Sequence, residues 1–459
     1  QHTRLIKKDF QIIKRIIKYV GPNKGLFFIG LLFLVGSTAA SLVFPYIFGS
    51  LIDIVDGQEK LGLETVDDAA LLLFGVLIIQ AFFSYFRILI FTAVSERSMA
   101  NIRKDLYKHM LYLHISFFEK NRVGELTSRF TADIGMLRDT LSTTSAEFLR
   151  QFATLIIGVS LLFFFSLKLT LFMLLTFPAM VILALVFGKY IKKLSKRTQS
   201  YLADSNIIAE ETFQSISMVK SFTNEQKEIK KYNSSINEMV KVAINTAHFR
   251  GAFASFIIAA LFGGIIGVLW YGATLVQADM MSIGDLVTYL FYTIYIGASV
   301  GGMGDMIGQI QKAAGASERV LEILDEISED QAYKNSSANF EKGDIEFEDV
   351  EFQYPSRPEA KVINGISLKI KEGENIALVG QSGGGKSTIT HLISRFYNIG
   401  KGRISINGID IKDFNINSLR SQIGIVPQDI ILFGGSIKEN ILYGNINASE
   451  KQIIEAAKK

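Results

Sequence analysis

Six long stretches without charged residues follow one another over the first 304 positions of this 459-residue chain. An α-helix rises 1.5 Å per residue, so about 20 residues cross the roughly 30 Å hydrocarbon layer of a membrane. One such stretch could be the core helix of a soluble protein, whereas six in a row predict a membrane domain. We place this domain at 23–328, with spans at about 25–52, 69–95, 140–167, 169–188, 251–278 and 286–304.

The Lys and Arg residues are distributed unevenly among the segments that flank these spans. Seven precede the first span, nine lie at 96–150 and eleven at 189–250, whereas the other three links carry two in total. Cytoplasmic loops of membrane proteins are enriched in Lys and Arg, so both termini and these two long loops are predicted to be cytoplasmic. The net charge of +4 is thereby explained, and no nucleic-acid partner is expected.

Two further features bound the possibilities outside the spans. The chain contains no cysteine, which excludes disulfides, thiolate metal sites and a cysteine nucleophile. Residues 1–22 place apolar and basic side chains on opposite helical faces and predict an amphipathic helix in the membrane interface. An ordinary surface helix is the alternative.

Within the last two spans, the glycines have the small-xxx-small spacing that predicts close helix packing. They are Gly263 and Gly267, with Gly297 and Gly301.

The sequence changes character after a polar linker predicted at 329–343. From Asp344 onward, strands are predicted in IEFEDVEFQY, SLKIKEG and NIALVG. The last of these leads into Gly380–Ser387, which match the phosphate-binding pattern G-x-x-x-x-G-K-[ST] in full. An apolar stretch before this loop and a helical one after it favour a nucleotide site over a structural glycine turn.

The loop pattern assigns a role to each of its residues. Backbone N–H groups converge on phosphate oxygens, the Lys386 ammonium reaches the β- and γ-phosphates, and the Ser387 hydroxyl binds Mg²⁺. Thr388 opens the following helix, whose dipole also favours an anion. The cofactors predicted are ATP and Mg²⁺. The predicted nucleotide-contacting residues of the loop are Gly380, Ser382, Gly383, Gly385, Lys386, Ser387 and Thr388.

With six spans followed by this loop, the chain resembles the ATP-binding-cassette (ABC) transporters over essentially all its length, and specifically six-span half-transporters of the B-family exporter type. The resemblance implies a multi-pass helical membrane domain followed by a partial α/β P-loop ATPase domain at 344–459. It also implies that Tyr354 stacks on adenine and that Gln428, in IGIVPQDIILF, reaches the Mg²⁺ ion. For Tyr354, packing of a strand-end tyrosine into the sheet is the alternative.

Two cytoplasmic segments resemble the coupling loops of such exporters, SFFEKNRVGELTSRFTADI at 116–134 and EETFQSISMVKSF at 210–222. The resemblance implies that short helices at their tips dock on the ATPase domains, and the alternative is a solvated helix hairpin. Apolar side chains at loop tips favour docking. The candidate coupling residues are Phe117, Phe118, Glu125, Phe213 and Met218.

The resemblance also implies parts that this sequence does not contain. It has no LSGGQ-like signature, no apolar strand ending in a magnesium-binding Asp followed by a Glu base, and no switch histidine. Because the chain ends within a helical pattern, we expect it to be truncated within its nucleotide-binding domain. As written, it is expected to bind nucleotide weakly and to hydrolyse it little.

The cargo is the least specified property. Arg87 is the one charge within an apolar run, and such residues often mark a substrate path. Arg87 also lies at a depth in its span from which its long side chain could extend to the lipid head groups of the inner leaflet. Arg150 lies at similar depth, so an anionic lipid head group could contact both. Tyr292 is one of several aromatic residues that could line a cavity or face lipid.

The resemblance implies ATP-driven export of an amphipathic small molecule, peptide or lipid by alternating access. The working unit would be a dimer with a second half-transporter, identical or different. The predicted location is a bacterial plasma membrane, with an organellar membrane as the alternative. A second functional hypothesis is a nucleotide-gated channel or regulatory membrane protein, in which ATP sets the conformation without pumping.

Overall fold

The computed structural model describes residues 15–63, 65–329, 338, 340–428 and 430–459, without the side chains of 176–181, 184 and 185. The predicted amphipathic helix at 1–22 therefore lies outside the described residues up to position 14, and residues 15–20 are helical. Most of the predicted linker at 329–343 is also outside the described residues. The chain divides into two compact units, one comprising Gln1–Tyr107 with Thr127–Leu324, the other Lys108–Leu126 with Asp325–Lys459.

The first unit is built from long helices. They are α1 (Lys24–Val55), α2 (Val66–Leu111), α5 (Ile134–Asp139), α6 (Ser145–Phe165), α7 (Leu167–Gln214), α8 (Ile216–Ser221), α9 (Glu225–Gln277) and α10 (Ile283–Asp325). Two short helices, α3 (Ile115–Lys120) and α4 (Val123–Ser128), lie between α2 and α5 in the chain. At 1.5 Å per residue, the 46 residues of α2 and the 53 of α9 far exceed a bilayer. Both helices therefore continue well beyond the membrane-spanning length.

Five helical segments of the described residues are long and apolar enough to cross a membrane. They are Arg15–Val55, Val66–Leu111, Val123–Phe165, Glu225–Gln277 and Ile283–Asp325. The remaining predicted span, 169–188, lies in α7, where several side chains are outside the description. The predicted multi-pass helical membrane domain is thus confirmed.

The third of these segments is not a uniform α-helix, because π-helical turns occupy Arg129–Asp133 and Thr140–Thr144. The second turn has the sequence TLSTT, and hydroxyls within it and directly after it bond to backbone carbonyls four or five residues back. Ser145 Oγ donates to Thr140 O at 2.7 Å, five residues back, and Thr143 Oγ1 donates to Asp139 O at 3.0 Å. Such side-chain bonds compete with the regular α-helical ladder and favour a local widening of the helix.

Two helices of the first unit approach closely at Gly49 of α1 and Gly284 of α10. A Cβ atom added at Gly49 would lie 1.9 Å from Thr288 Oγ1 and 2.3 Å from Gly284 O. By contrast, no described atom lies within 4 Å of such a Cβ at Gly263, Gly297 or Gly301. At Gly267 the same Cβ would lie 3.5 Å from Phe172 Cε1, an ordinary contact, and close packing at the other predicted small-xxx-small positions stays a prediction. Spacing alone does not show which face of a helix meets a neighbour.

An ion-pair cluster joins the same ends of α1 and α10, which are the ends predicted to be external. The Asp53 carboxylate is fully buried, and it accepts hydrogen bonds from Gly284 N–H at 2.7 Å and from Ser282 Oγ at 2.8 Å. Lys60 lies within 2.6 Å of Asp53 and 2.7 Å of Asp285. Burial opposes the charge on Lys60, yet its hydrogen bonds to Asp285 and Asp53 raise the pKa of Lys60 above its ordinary value.

This cluster predicts a loss of stability at alkaline pH. A raised pKa in the folded state means that Lys60 stabilises the fold below its unfolded pKa, about 10.4, and that this contribution is lost as pH rises through the folded pKa. The melting temperature of the wild type should therefore exceed that of Lys60→Gln near neutral pH, and the difference should shrink above about pH 10.4. Thermal unfolding in detergent measures this. A difference that stays constant across the range would contradict the prediction.

The second unit contains a small antiparallel sheet and short helices. Its strands are β1 (Ile345–Gln353), β2 (Lys361–Ile370), β3 (Lys401–Ile406) and β4 (Ile409–Asp410), in the order β2-β1-β3-β4. Its helices are α11 (Lys386–Ile393), α12 (Ile416–Arg420), α13 (Ile437–Leu442) and α14 (Glu450–Lys458). Phe347 lies opposite Leu368 on one side and Ile404 on the other. Its buried ring is part of the core that packs α11 against the sheet.

The prediction of a strand in NIALVG is wrong for the described structure. Residues 375–380 form no strand ladder with any described segment, although β1 and β2 are confirmed. A strand needs a hydrogen-bonded neighbour, and alternation of apolar residues does not supply one. Val379 is accordingly 89% exposed.

Candidate nucleotide-binding and cargo sites

The phosphate-binding loop lies directly before α11, as its sequence predicts. Gly385 is the N-terminal cap of this helix and has a left-handed backbone, with φ +82°. A Cβ there would lie 2.7 Å from Ile363 Cδ1 and 3.1 Å from Val362 O in β2. Glycine is therefore required at this position for two independent reasons, its backbone angle and its approach to the sheet.

The side chain of Lys386 folds back over the loop. Its Nζ donates to Gly380 O at 2.9 Å and to Gln381 O at 2.7 Å. The ammonium is thus already held beside the loop, at the start of a helix whose N–H groups favour an anion. Gly380, Ser382, Gly383 and Ser387 are exposed around it, as a site for a soluble nucleotide requires.

Tyr354 lies beside the loop and makes specific contacts there. Its hydroxyl is 2.9 Å from the hydroxyl of buried Thr388, and its half-buried ring packs edge-on against Phe352 and Tyr397. These are the contacts of the packing alternative, and the adenine-stacking role stays a prediction. Contact of Thr388 with phosphate likewise stays a prediction.

The predicted magnesium ligands are a hydroxyl, Ser387, and an amide, Gln428. Among the described residues, no group of three His, Cys, Asp or Glu side chains could hold a metal ion. Hard oxygen donors beside phosphate oxygens nevertheless fit Mg²⁺, which is usually held by few protein ligands together with substrate and water. Gln428 lies exposed in an irregular segment, and its approach to a metal stays a prediction.

The first part of the predicted coupling loop at 116–134, up to Leu126, belongs to the second compact unit. Tyr397 donates its hydroxyl to Glu119 in α3, and Glu329 N–H donates to Tyr112 O at 2.7 Å. Phe117 and Phe118 form an edge-on pair at 5.4 Å. Glu125 lies in the first turn of α4.

Arg420 adds a contact that sequence reasoning missed. It binds both carboxylate oxygens of Glu329, at 2.7 and 3.0 Å. No local pattern signals a pair separated by 91 positions.

The second predicted coupling loop lies in the first unit, around α8. Phe213 is 72% exposed and Met218 is 59% exposed. Two large apolar side chains in water are compatible with the docking role, which stays a prediction for this loop.

Arg87 and Arg150 converge on a carboxylate that sequence reasoning missed. Arg87 Nη1 is 3.2 Å from Glu147 Oε2, and Arg150 Nε is 3.0 and 2.9 Å from the two Glu147 oxygens. The Arg87 side chain is only 11% exposed. Glu147 precedes Arg150 by three residues on one helix, a spacing that could have predicted this half of the cluster. The two arginines thus share one internal anion and retain a single excess positive charge.

An apolar cavity of about 530 Å³ lies between α1, α6 and α10. It is lined by Leu34, Val35, Thr38, Ala39, Leu42, Val43, Tyr46, Ala153, Ile157, Leu161, Phe164, Phe165 and Tyr292. The predicted cavity residue Tyr292 is therefore a lining residue. Its buried hydroxyl donates to Leu42 O at 2.6 Å, and Thr38 Oγ1 donates to Leu34 O at 2.8 Å, so both hydroxyls are engaged within the protein. The cavity offers an apolar surface to an occupant.

A multi-pass helical membrane domain joined to a phosphate-binding loop defines the class of a nucleotide-binding integral membrane protein. Family comparison agrees with this class. The profile described as ABC transporter transmembrane region matches residues 27–300, and that described as ABC transporter matches residues 363–459. The chain belongs to the ABC transporter family. ATP is therefore its nucleotide, whereas Mg²⁺ stays a prediction.

Three relatives illustrate the similarity. ABC transporter B family member 1 of Dictyostelium discoideum is 34% identical over 447 residues, 97% of this chain and 49% of the relative. A putative export ATP-binding/permease protein of Rickettsia felis is 33% identical over 98% of this chain and 78% of its own length. The mitochondrial ATP-binding cassette sub-family B member 10 of Mus musculus is 32% identical over 96% and 63%. The predicted B-family resemblance is confirmed, and the chain spans about half the length of the first relative.

Proposed function

We propose that the protein uses ATP to export an amphipathic, lipid-like molecule by alternating access, as a dimer of two six-span halves. An amphipathic cargo is supported by the position of the apolar cavity relative to Arg150. On α6, residues 153, 157, 161 and 164 line the cavity at helical spacing. Arg150 precedes Ala153 by three residues and so extends the same row of side chains.

The two parts of this site match the two parts of an amphipathic molecule. The cavity volume lies within the range of ordinary small-molecule sites, and its apolar lining suits an alkyl chain. A head group attached to that chain would lie beside Arg150 and Arg87. With Glu147 present, the cluster has one excess positive charge, which favours an anionic or zwitterionic head group over a cationic one.

The nucleotide end supplies the driving step in this proposal. Lys386 and the loop N–H groups hold the phosphates of ATP, and Ser387 and Gln428 hold Mg²⁺, which would neutralise charge on the phosphates. Closure of two such domains around nucleotide would move the coupling loops and change the direction in which the cavity opens. Export requires that the cavity bind cargo less tightly once it faces outward.

The proposed function also includes the membrane in which the protein resides. Multiple apolar helices make the protein an integral membrane protein. We favour a bacterial plasma membrane with the ATP-binding domain in the cytoplasm. The mouse relative is named as mitochondrial, which supports an organellar membrane as the alternative.

Replacing Arg150 by glutamine should weaken stimulation of ATP hydrolysis by an anionic amphiphile. The probes are dodecyl phosphate and dodecyltrimethylammonium, which share one alkyl chain and differ in head-group charge. In the full-length protein in nanodiscs, the half-maximal concentration of dodecyl phosphate should rise about tenfold, the effect of losing one charged hydrogen bond. Glu147 keeps its partner Arg87 in this variant, so the fold should persist.

The matched control is Lys193→Gln, which removes an exposed positive charge from α7. It should respond to dodecyl phosphate as the wild type does. Stronger stimulation of the wild type by the cationic probe would contradict the proposed head-group preference. ATP-dependent ionic current without cargo movement would contradict export itself.

A further inference from the structure

Tyr397 occupies a central place in the second unit. It follows α11 by four residues, and it is 5% exposed within the hydrophobic core beneath the sheet. A tyrosine buried to this extent normally gives its hydroxyl a specific partner. Here the partner is the carboxylate of Glu119, which lies in α3 of the first predicted coupling loop.

The phenol is the donor in this bond. Burial raises the pKa of Tyr397, and the hydrogen bond to the Glu119 carboxylate raises this pKa further. The hydroxyl therefore stays protonated and the bond persists throughout the neutral range. Because the carboxylate is charged, the bond belongs to the stronger class of protein hydrogen bonds.

The ring of Tyr397 reaches toward the nucleotide loop. It packs edge-on against Tyr354, with ring centroids 5.1 Å apart and planes at 86°. The hydroxyl of Tyr354 is in turn 2.9 Å from that of Thr388, two residues after Lys386. Two hydrogen bonds and one ring contact therefore connect Glu119 with the helix that follows the phosphate-binding loop.

The residue that follows α2, four positions before the first coupling loop, has a separate attachment that does not involve the Tyr397 and Tyr354 side chains. Glu329 N–H bonds Tyr112 O, and the Glu329 carboxylate binds Arg420 through both oxygens. This attachment joins the segment that leads into the loop to the chain after α10 and to α12. The loop would therefore remain attached to the unit if the bond between Tyr397 and Glu119 were removed.

We propose that Tyr397 and Glu119 are positioning residues that link occupancy of the nucleotide site at Tyr354 to the conformation of the first coupling loop. A base stacking on Tyr354 would change the contacts of that ring, and in a close-packed core the adjoining Tyr397 ring must respond. Its hydroxyl would pass the change to α3 through Glu119. The inference rests on the proposed function in one respect, since it requires ATP to bind at this loop.

The test compares Tyr397→Phe and Glu119→Gln with the wild-type full-length protein in nanodiscs. The first variant removes one hydroxyl and keeps the ring, and the second keeps the size of the side chain. Hydrogen–deuterium exchange of residues 108–126 is measured with and without MgATP, together with the MgATP dissociation constant. In the wild type, MgATP should slow exchange in α3 about tenfold, the size of effect expected from one hydrogen bond to a charged group.

In either variant this slowing should be lost, whereas the dissociation constant should change less than about twofold because the Tyr354 ring keeps its neighbour. The double variant should resemble each single variant, since all three lack the same bond. Tyr443→Phe is the control, because Tyr443 is 67% exposed and stacks on Phe433 in another part of the unit.

Two results would overturn the inference. One is a wild type that binds MgATP without any change of exchange in residues 108–126. The other is that MgATP slows exchange in Tyr397→Phe or Glu119→Gln as much as it does in the wild type. A wild type that fails to bind MgATP at all would instead overturn the proposed function, so the two failures are distinguishable.

Discussion

Replacing Lys386 by alanine should reduce ATP hydrolysis by the full-length protein at least about a hundredfold, the range observed when one donor is removed from a charged transition state. The variant loses the positive charge predicted to bind the β- and γ-phosphates. It also loses the two bonds from Nζ to Gly380 O and Gln381 O, which hold the loop together. The measurement is phosphate release in liposomes, together with ATP-dependent accumulation of dodecyl phosphate.

The matched control for Lys386 is Lys438→Ala. This lysine lies in the same unit, is 58% exposed and pairs with Glu450 on the surface. Exposed ion pairs contribute about 0–1 kcal/mol, so this variant should hydrolyse ATP normally. Equal turnover in Lys386→Ala and the wild type would contradict an ATP-driven function for the site.

Replacing Gly49 by alanine should destabilise the membrane domain by about 3 kcal/mol or more, at the upper end of the range for overpacking. The added methyl group would lie 2.3 Å from the backbone oxygen of Gly284, which cannot rotate away as a flexible side chain could. It would also displace the Thr288 hydroxyl from its bonds to Gly284 O and Pro45 O. The measurements are the thermal unfolding midpoint and the folded yield in detergent.

Gly75→Ala is the control for this helix contact. Gly75 lies within α2, and no described atom lies within 4 Å of a Cβ placed there. Alanine is a better helix former than glycine by about 1 kcal/mol, so this variant should be as stable as the wild type or slightly more so. An unchanged unfolding midpoint in Gly49→Ala would show that α1 and α10 do not meet at these glycines.

Some of these features could be predicted from the sequence because they depend on neighbouring residues. The charge-free stretches predicted the long helices, and β1 was predicted from the alternation in IEFEDVEFQY. The phosphate-binding loop could also be recognised, since all its residues are contiguous. The same reasoning failed for NIALVG, where alternation of apolar residues did not supply a paired strand.

The candidate cargo site likewise contains residues that the sequence identified and one that it did not. Arg87 was identified as the one charge within an apolar run and Arg150 as a residue at similar depth, but their shared partner Glu147 was missed. Without that carboxylate the site would have two excess positive charges, and with it the site has one. This difference decides how strongly the cluster would favour an anionic head group.

The sequence by itself determined the class of this protein, a helical membrane domain followed by a phosphate-binding ATPase segment. Hydrophobic length and loop chemistry are local properties, so no knowledge of packing was needed. Only the tertiary structure decided which distant residues meet. Arg87 contacts Glu147 across 60 positions, Asp53 contacts Gly284 across 231, and Tyr397 contacts Glu119 across 278. Such pairs depend on how helices and sheet pack together, and the periodicity of a sequence indicates which face of an element is buried but not which distant residue it meets.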